Sequence, residues 1–189
     1  MLFELMAPFY DKFMNKVALD HSGNIPEWLE PLEGREVLDL GGGTGINAIG
    51  LAGAGAKVTL VDSSRAMLHR AEVKGVPALL VQADAANLPF PAEAFDIVLI
   101  SDAWHHFRNH SAVARETARV LRRGGRFYII DFDPARLQTK FIAFVERLFA
   151  EPATFTRPDD LVERLRALGI MGAYRFLDNY QYLYEGVKQ

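Results

Sequence analysis

The chain alternates several times between apolar runs of strand length and stretches whose apolar residues recur at helical spacing. Glu36–Leu40, Lys57–Val61, Ala78–Gln82, Phe95–Ile100 and Arg126–Phe132 are mostly continuous in apolar residues, the pattern of strands covered on both faces. Ile46–Ala54, Ser64–Val73 and Ser111–Leu121 lie between them and read as helices. The pair Gly124-Gly125 is expected to close the last helix and turn the chain into the fifth strand. This rhythm predicts a parallel sheet.

The rhythm changes after Phe132. A helix is expected near Thr139–Phe149 and another near Asp159–Leu168, with Thr156 and Pro158 supplying the second helix start. Two aromatic-rich strands follow, Ala173–Leu177 and Tyr180–Gly186, separated only by Asp178-Asn179, which predicts an antiparallel pair at a sheet edge. The expected fold is therefore α/β and Rossmann-like: a doubly wound, mostly parallel seven-stranded sheet with an antiparallel C-terminal strand and helices on both faces. A barrel would need eight strands and more chain. Phe141, Phe144, Leu148 and Phe149 fit one helical face and read as core; with Phe155, Tyr174 and Tyr182 they could instead wall an apolar pocket.

Composition narrows the picture. At 189 residues, half of them apolar, the chain is expected to form one domain over 1–189: an amino-terminal helical segment at 1–30, a ligand-binding core at 35–132, and closing helices and hairpin at 133–189. With 21 Lys+Arg against 24 Asp+Glu and a pI near 6.0, no positive excess is available for nucleic acid or an anionic membrane. The absence of cysteine excludes disulfide frameworks, iron–sulfur clusters and thiol nucleophiles. No signal peptide and no run of 18 apolar residues is found, so a soluble, cytoplasmic protein is expected.

The strongest chemical signal is Val37-Leu38-Asp39-Leu40-Gly41-Gly42-Gly43-Thr44-Gly45, an apolar strand running into a glycine turn and then a helix. Glycines allow a tight turn and close approach of backbone to a ligand, here one of adenosine type. Asp62 ends the next strand, where a carboxylate accepts hydrogen bonds from two ribose hydroxyls. Ala48 could replace the third glycine of a dinucleotide fold, so spacing alone leaves a nicotinamide-dependent oxidoreductase open. Asp39 argues against that reading, since it would repel a diphosphate and welcome an ammonium group.

With these residues in view, the chain resembles the class I S-adenosylmethionine-dependent methyltransferases over roughly residues 35–132. The glycine loop resembles the family's first motif and Leu60-Val61-Asp62-Ser63-Ser64 its second, with Met67 against the adenine. Gln82-Ala83-Asp84-Ala85-Ala86-Asn87-Leu88-Pro89-Phe90 resembles the third. Phe95 to Phe107 and Leu121-Arg122-Arg123-Gly124-Gly125-Arg126-Phe127 follow in register. The resemblance implies that Gly41, Gly43 and Gly45 line the methionine part of S-adenosylmethionine and that Asp39 lies near its amino group. It gives Asp62 and Ser63 to the ribose and base, Asp84 and Ala85 to the adenine, and Ser101 to the amino acid portion. S-adenosylhomocysteine would be the product.

Methyl transfer from a sulfonium is an in-line displacement in which positioning and desolvation do most of the work. If the acceptor is a hydroxyl or a protonated carbon, a base helps, and His105 and His106 are the candidates, either as a base or as pocket lining. No metal is expected, because His105, His106 and His110 lack a carboxylate at ligand spacing and His21 lies far off in sequence. Asp131 and Asp133, followed by Pro134, read as shaping a turn. The segment from Phe3 to Met14 resembles the opening helix of methyltransferases of ubiquinone and menaquinone biosynthesis, which would make Tyr10 a lid residue over the cofactor. The expected partner is thus a small-molecule acceptor, apolar or quinone-like, without nucleic acid. Ser101-Asp102-Ala103-Trp104 stands where nitrogen methyltransferases of nucleic acids and proteins usually carry an Asn/Asp-Pro-Pro sequence, which favours oxygen or carbon. A cofactor-binding sensor or assembly protein without turnover is the non-enzyme alternative.

Overall fold

Glu36–Leu40 (β1), Lys57–Asp62 (β2), Ala78–Gln82 (β3) and Phe95–Ser101 (β4) form a parallel sheet, and Leu121–Phe132 (β5) joins it beside β4. These details come from a computed structural model that describes residues 29, 31–148 and 153–189. Ile170–Phe176 (β6) and Gln181–Lys188 (β7) complete seven strands in the order β3-β2-β1-β4-β5-β7-β6. Only β7 runs against the rest, antiparallel to both β5 and β6. The Rossmann-like doubly wound sheet expected from the sequence is the one observed.

Continuous apolar strands arise because both faces are covered. On one side Val37, Leu60, Ile97, Leu99, Tyr128 and Ile130 pack with Ala48, Leu51, Leu68 and Ala71 of the helices Ile46–Gly53 (α1) and Arg65–Val73 (α2). On the other, Leu38, Val98, Ile100, Phe127 and Ile129 meet Val113, Ala114 and Val120 of His110–Val120 (α3) and Leu161 and Leu165 of Pro158–Arg166 (α5). Each of the Leu, Ile, Val and Phe side chains among them contributes about 1.5–3 kcal/mol by leaving water. Leu137–Leu148 (α4) lies between β5 and α5 in the chain.

Several local expectations are corrected. β5 begins at Leu121, paired with Phe95 across a register shift, so Gly124-Gly125 lies inside a strand rather than closing a helix. Gly124 takes a φ of 73°, and a Cβ on Gly125 would stand 2.8 Å from the carbonyl of Asp96, so the irregular stretch uses both glycines. Thr156 does not cap α5, which starts with Pro158 in its first turn and has no side-chain cap. Phe141 and Phe144 are 68% and 58% exposed, not core; Phe149 is outside the described residues. Tyr182, by contrast, is fully buried. The β6–β7 turn is wider than two residues, with Asp178 Oδ1 accepting from the N–H groups of Tyr180 and Gln181.

Candidate active site

The chain passes outward from β1 through β2 to β3 and then returns to β4 on the other side of β1. This reversal opens a crevice at the carboxyl ends of β1 and β4, the ligand position of open α/β sheets. The glycine loop fills one lip of it. Gly41, Gly43 and Gly45 have φ of 77°, 55° and 82°, in the left-handed region that side chains disfavour. A Cβ on Gly41 would stand 2.7 Å from Ala103 Cβ, so the loops after β1 and β4 touch, whereas around Gly43 nothing lies within 4 Å. Gly45 caps α1 and leaves the first helical N–H groups facing the loop.

Two carboxylates lie beneath the loop. Asp39 is 1% exposed, and among the described residues neither of its oxygens has a hydrogen-bond partner. Burial, and then the charge of Asp62, push its pKa up to about 7. Asp62 ends β2 and accepts from Gly43 N–H at 3.0 Å and Ser64 N–H at 2.7 Å. Burial raises its pKa too, partly offset by these bonds. Ser64 in turn caps α2 by accepting from Met67 N–H. Met67 is buried, and Ser63 is exposed with its carbonyl accepting from Gln82 Nε2 at 3.1 Å. Asp84 makes a tight turn, accepting from Ala86 N–H, beside buried Ala85. Tyr10 lies outside the described residues.

The loop after β4 carries the other half of the crevice. Trp104–His106 is a single 3-10 turn. His105 is 2% exposed, and its Nδ1–H donates to Asp131 Oδ1 at 2.6 Å while its backbone N–H donates to Asp131 Oδ2 at 3.0 Å. Asp131 Oδ1 also accepts from Phe132 N–H. Asp131 thus fixes the His105 ring and tautomer; it does not shape a turn, as the sequence had suggested. Asp133 does, accepting from Ala135 N–H and Arg136 Nε. The Asp131 role has a faint sequence signal: a carboxylate at the end of a strand next to the one that leads to the histidines. Phe155 stacks on the His105 ring with centroids 4.6 Å apart.

His106 and His110 differ from it. Burial, and then His105, push the His106 pKa down to about 2, so His106 stays neutral. His110 Nε2–H donates to the Trp104 carbonyl, which leaves Nδ1 to accept from the Thr156 hydroxyl, and Thr156 Oγ1 accepts from Trp104 Nε1–H. That closed network explains why Thr156 is not a helix cap. Among the described residues no three His, Asp or Glu side chains are gathered as metal ligands would be.

Residues 38–129 match the family described as "Methyltransferase domain". Over that stretch, just under half of the chain, the sequence is similar to the class I S-adenosylmethionine-dependent methyltransferases. The chain is 39% identical over 104 residues to a demethylmenaquinone methyltransferase of Corynebacterium kroppenstedtii, covering 55% of this chain and 44% of that one. It is 42% identical over 97 residues to that of Mycolicibacterium vanbaalenii, covering 51% and 42%. The matched stretch is thus less than half the length of either relative. Among solved structures, a SAM-dependent methyltransferase from Thermotoga maritima aligns over 100% of this chain and 99% of that chain, with a TM-score of 0.79 and 22% identity. The magnesium protoporphyrin IX methyltransferase of Synechocystis PCC 6803, with bound S-adenosylhomocysteine (SAH), aligns over 89% and 81%, with a TM-score of 0.72 and 25% identity. Among the described residues, no helix is long and apolar enough to cross a membrane.

Proposed function

We propose that this chain transfers a methyl group from S-adenosylmethionine to a small-molecule acceptor, at oxygen or carbon in preference to nitrogen. The observation that carries the reading is the Asp39 carboxylate, buried under the glycine loop with no hydrogen-bond partner among the described residues. An anion there is costly until a cation arrives, and the α-ammonium of the cofactor answers that need. The N–H groups at the start of α1 suit its carboxylate, and Gly41, Gly43 and Gly45 let the backbone approach. Asp62 retains lone pairs beyond the two bonds it accepts, and these suit ribose hydroxyls. We assign Ser63, Met67, Asp84 and Ala85 to the base and Ser101 to the amino acid portion.

The bound cofactor supplies a methyl group on a positively charged sulfur. The chain positions and dehydrates the two reactants. His105, its Nδ1–H committed to Asp131, is the base that takes a proton from the acceptor in this reading. The demethylmenaquinone methyltransferases among the relatives support a small, apolar or quinone-like acceptor.

The test is transfer of labelled methyl from S-adenosylmethionine in a cell extract, with label counted in lipid-soluble, aqueous small-molecule and macromolecular fractions. Label in a small-molecule fraction is expected. Label confined to macromolecules would overturn the acceptor class, and no label with SAH still bound would favour the sensor. In the active fraction, His105→Ala should lower kcat by about 10²-fold or more while leaving the SAH Kd within about twofold. Equal loss of both would remove His105 from the chemistry.

A further inference from the structure

Two polar residues of the crevice have no part in the reading above. Asp102, directly after β4, holds a φ of 51° without being glycine. Only Glu93 shares this among the described residues. Aspartate tolerates that conformation better than most residues, yet it remains strained, and such strain gathers at functional sites. The Asp102 N–H donates to the Ile130 carbonyl, which pins the turn to β5. Its Oδ1 accepts from Gln181 Nε2 at 3.1 Å.

Gln181 opens β7. Because β7 runs antiparallel, its first residue pairs with Phe132, at the edge of the sheet where β1, β4 and β5 end. A strand parallel to β5 would have brought its last residue there instead. Gln181 is 1% exposed, and its Oε1 is buried without a hydrogen-bond partner among the described residues. A leucine or methionine would fill the same volume without orphaning an oxygen. Around the pair stand His105 with its Asp131, and the rings of Phe132 and Tyr180, stacked with centroids 5.9 Å apart. Burial, and then Asp131, push the Asp102 pKa up to about 7, against the opposing effects of His105 and the Gln181 bond. The group is therefore easily neutralised and does not favour a cation strongly.

We propose that Asp102 and Gln181 form the subsite that grips the methyl acceptor, with Gln181 Oε1 accepting from a neutral hydroxyl on an aromatic ring. This rests on the methyltransferase reading above and names the acceptor's chemical class. An amide oxygen only accepts, so a group lacking a hydrogen would leave it orphaned, while Asp102 fixes the amide so that Nε2 points away from the acceptor. The aromatic walls suit a flat ring.

The probes are 1-naphthol, 1-methoxynaphthalene and 1-naphthylmethylammonium, titrated onto the SAH-loaded protein. Wild type should bind the naphthol about tenfold or more tightly than the ether, and the cation no better than the ether. Gln181→Met should erase the preference without changing SAH affinity. Asp102→Asn is the second variant: its amide tolerates the same backbone and can donate to Gln181 Oε1, so the preference should fall while thermal stability holds or rises. A role confined to folding would not separate those two readouts. Equal binding of hydroxyl and ether, a preferred cation, no probe bound to the SAH-loaded protein, or a preference that survives both variants would overturn the subsite. Failure of SAH itself to bind is a separate outcome and would remove the methyltransferase reading beneath it.

Discussion

Asp39→Asn removes the charge from the buried carboxylate and keeps its shape. The folded-state pKa is raised from 3.8 to about 7, by burial and then by Asp62. At 1.36 kcal/mol per pH unit, ionising Asp39 in the ligand-free protein costs up to about 4 kcal/mol. The sign follows from the raised value. Below about pH 4 the group is protonated in both the folded and unfolded chain and its contribution is full. That contribution is lost as pH rises toward 7, and the loss then levels off. The variant should therefore match wild type near pH 4 and exceed it by as much as about 4 kcal/mol at pH 8, measured by urea unfolding without ligand at several pH values. Its SAH affinity should fall by about tenfold or more, since the ammonium loses a charged partner. Wild type should also release a proton when it binds SAH at pH 6, visible as a buffer-dependent heat. A variant less stable than wild type at pH 8, or a stability gap that does not change with pH, would refute the argument.

Gly41→Ala meets both a left-handed backbone and Ala103 Cβ at 2.7 Å, so it should lose about 2 kcal/mol or more of stability. Gly43→Ala has open space and should lose about 1 kcal/mol, yet weaken SAH binding more than it weakens the fold; thermal unfolding and titration together check both. Thr156→Val strips a shared partner from Trp104 Nε1 and His110 Nδ1 and should cost about 1–3 kcal/mol in urea unfolding. Asp131→Asn should leave SAH affinity intact and lower kcat by about 10²-fold, because the His105 tautomer is no longer fixed; an unchanged rate would make the pair structural only.

The sheet was legible because its strands are apolar on both faces, and the glycine loop because its residues need a backbone that few others adopt. What the chain pattern left obscure depends on contacts between distant segments. Asp131 reads as a turn former beside Asp133 and Pro134, and only the parallel register of β4 and β5 brings it to His105, 26 positions away. Thr156 fits a helix start, but it is 52 positions from the indole that claims its hydroxyl. Phe141 and Phe144 share a helical face, and periodicity cannot say whether a face is covered. Gln181 gives no local sign of its role, since its position follows from the direction of β7.

That direction also bears on assembly. β7 is made after β6 yet lies between it and β5, so β6 has no neighbour in the sheet until the later strand slides into place. Until then β5 presents an open row of amides and carbonyls along twelve residues, a template for another chain's strand. Both faces of that strand are already greasy, Phe127 and Ile129 on one side and Tyr128 and Ile130 on the other. Insertion of β7 is thus a long-range, entropically slow closure, and the interval before it is when this chain is most open to domain swapping and clumping.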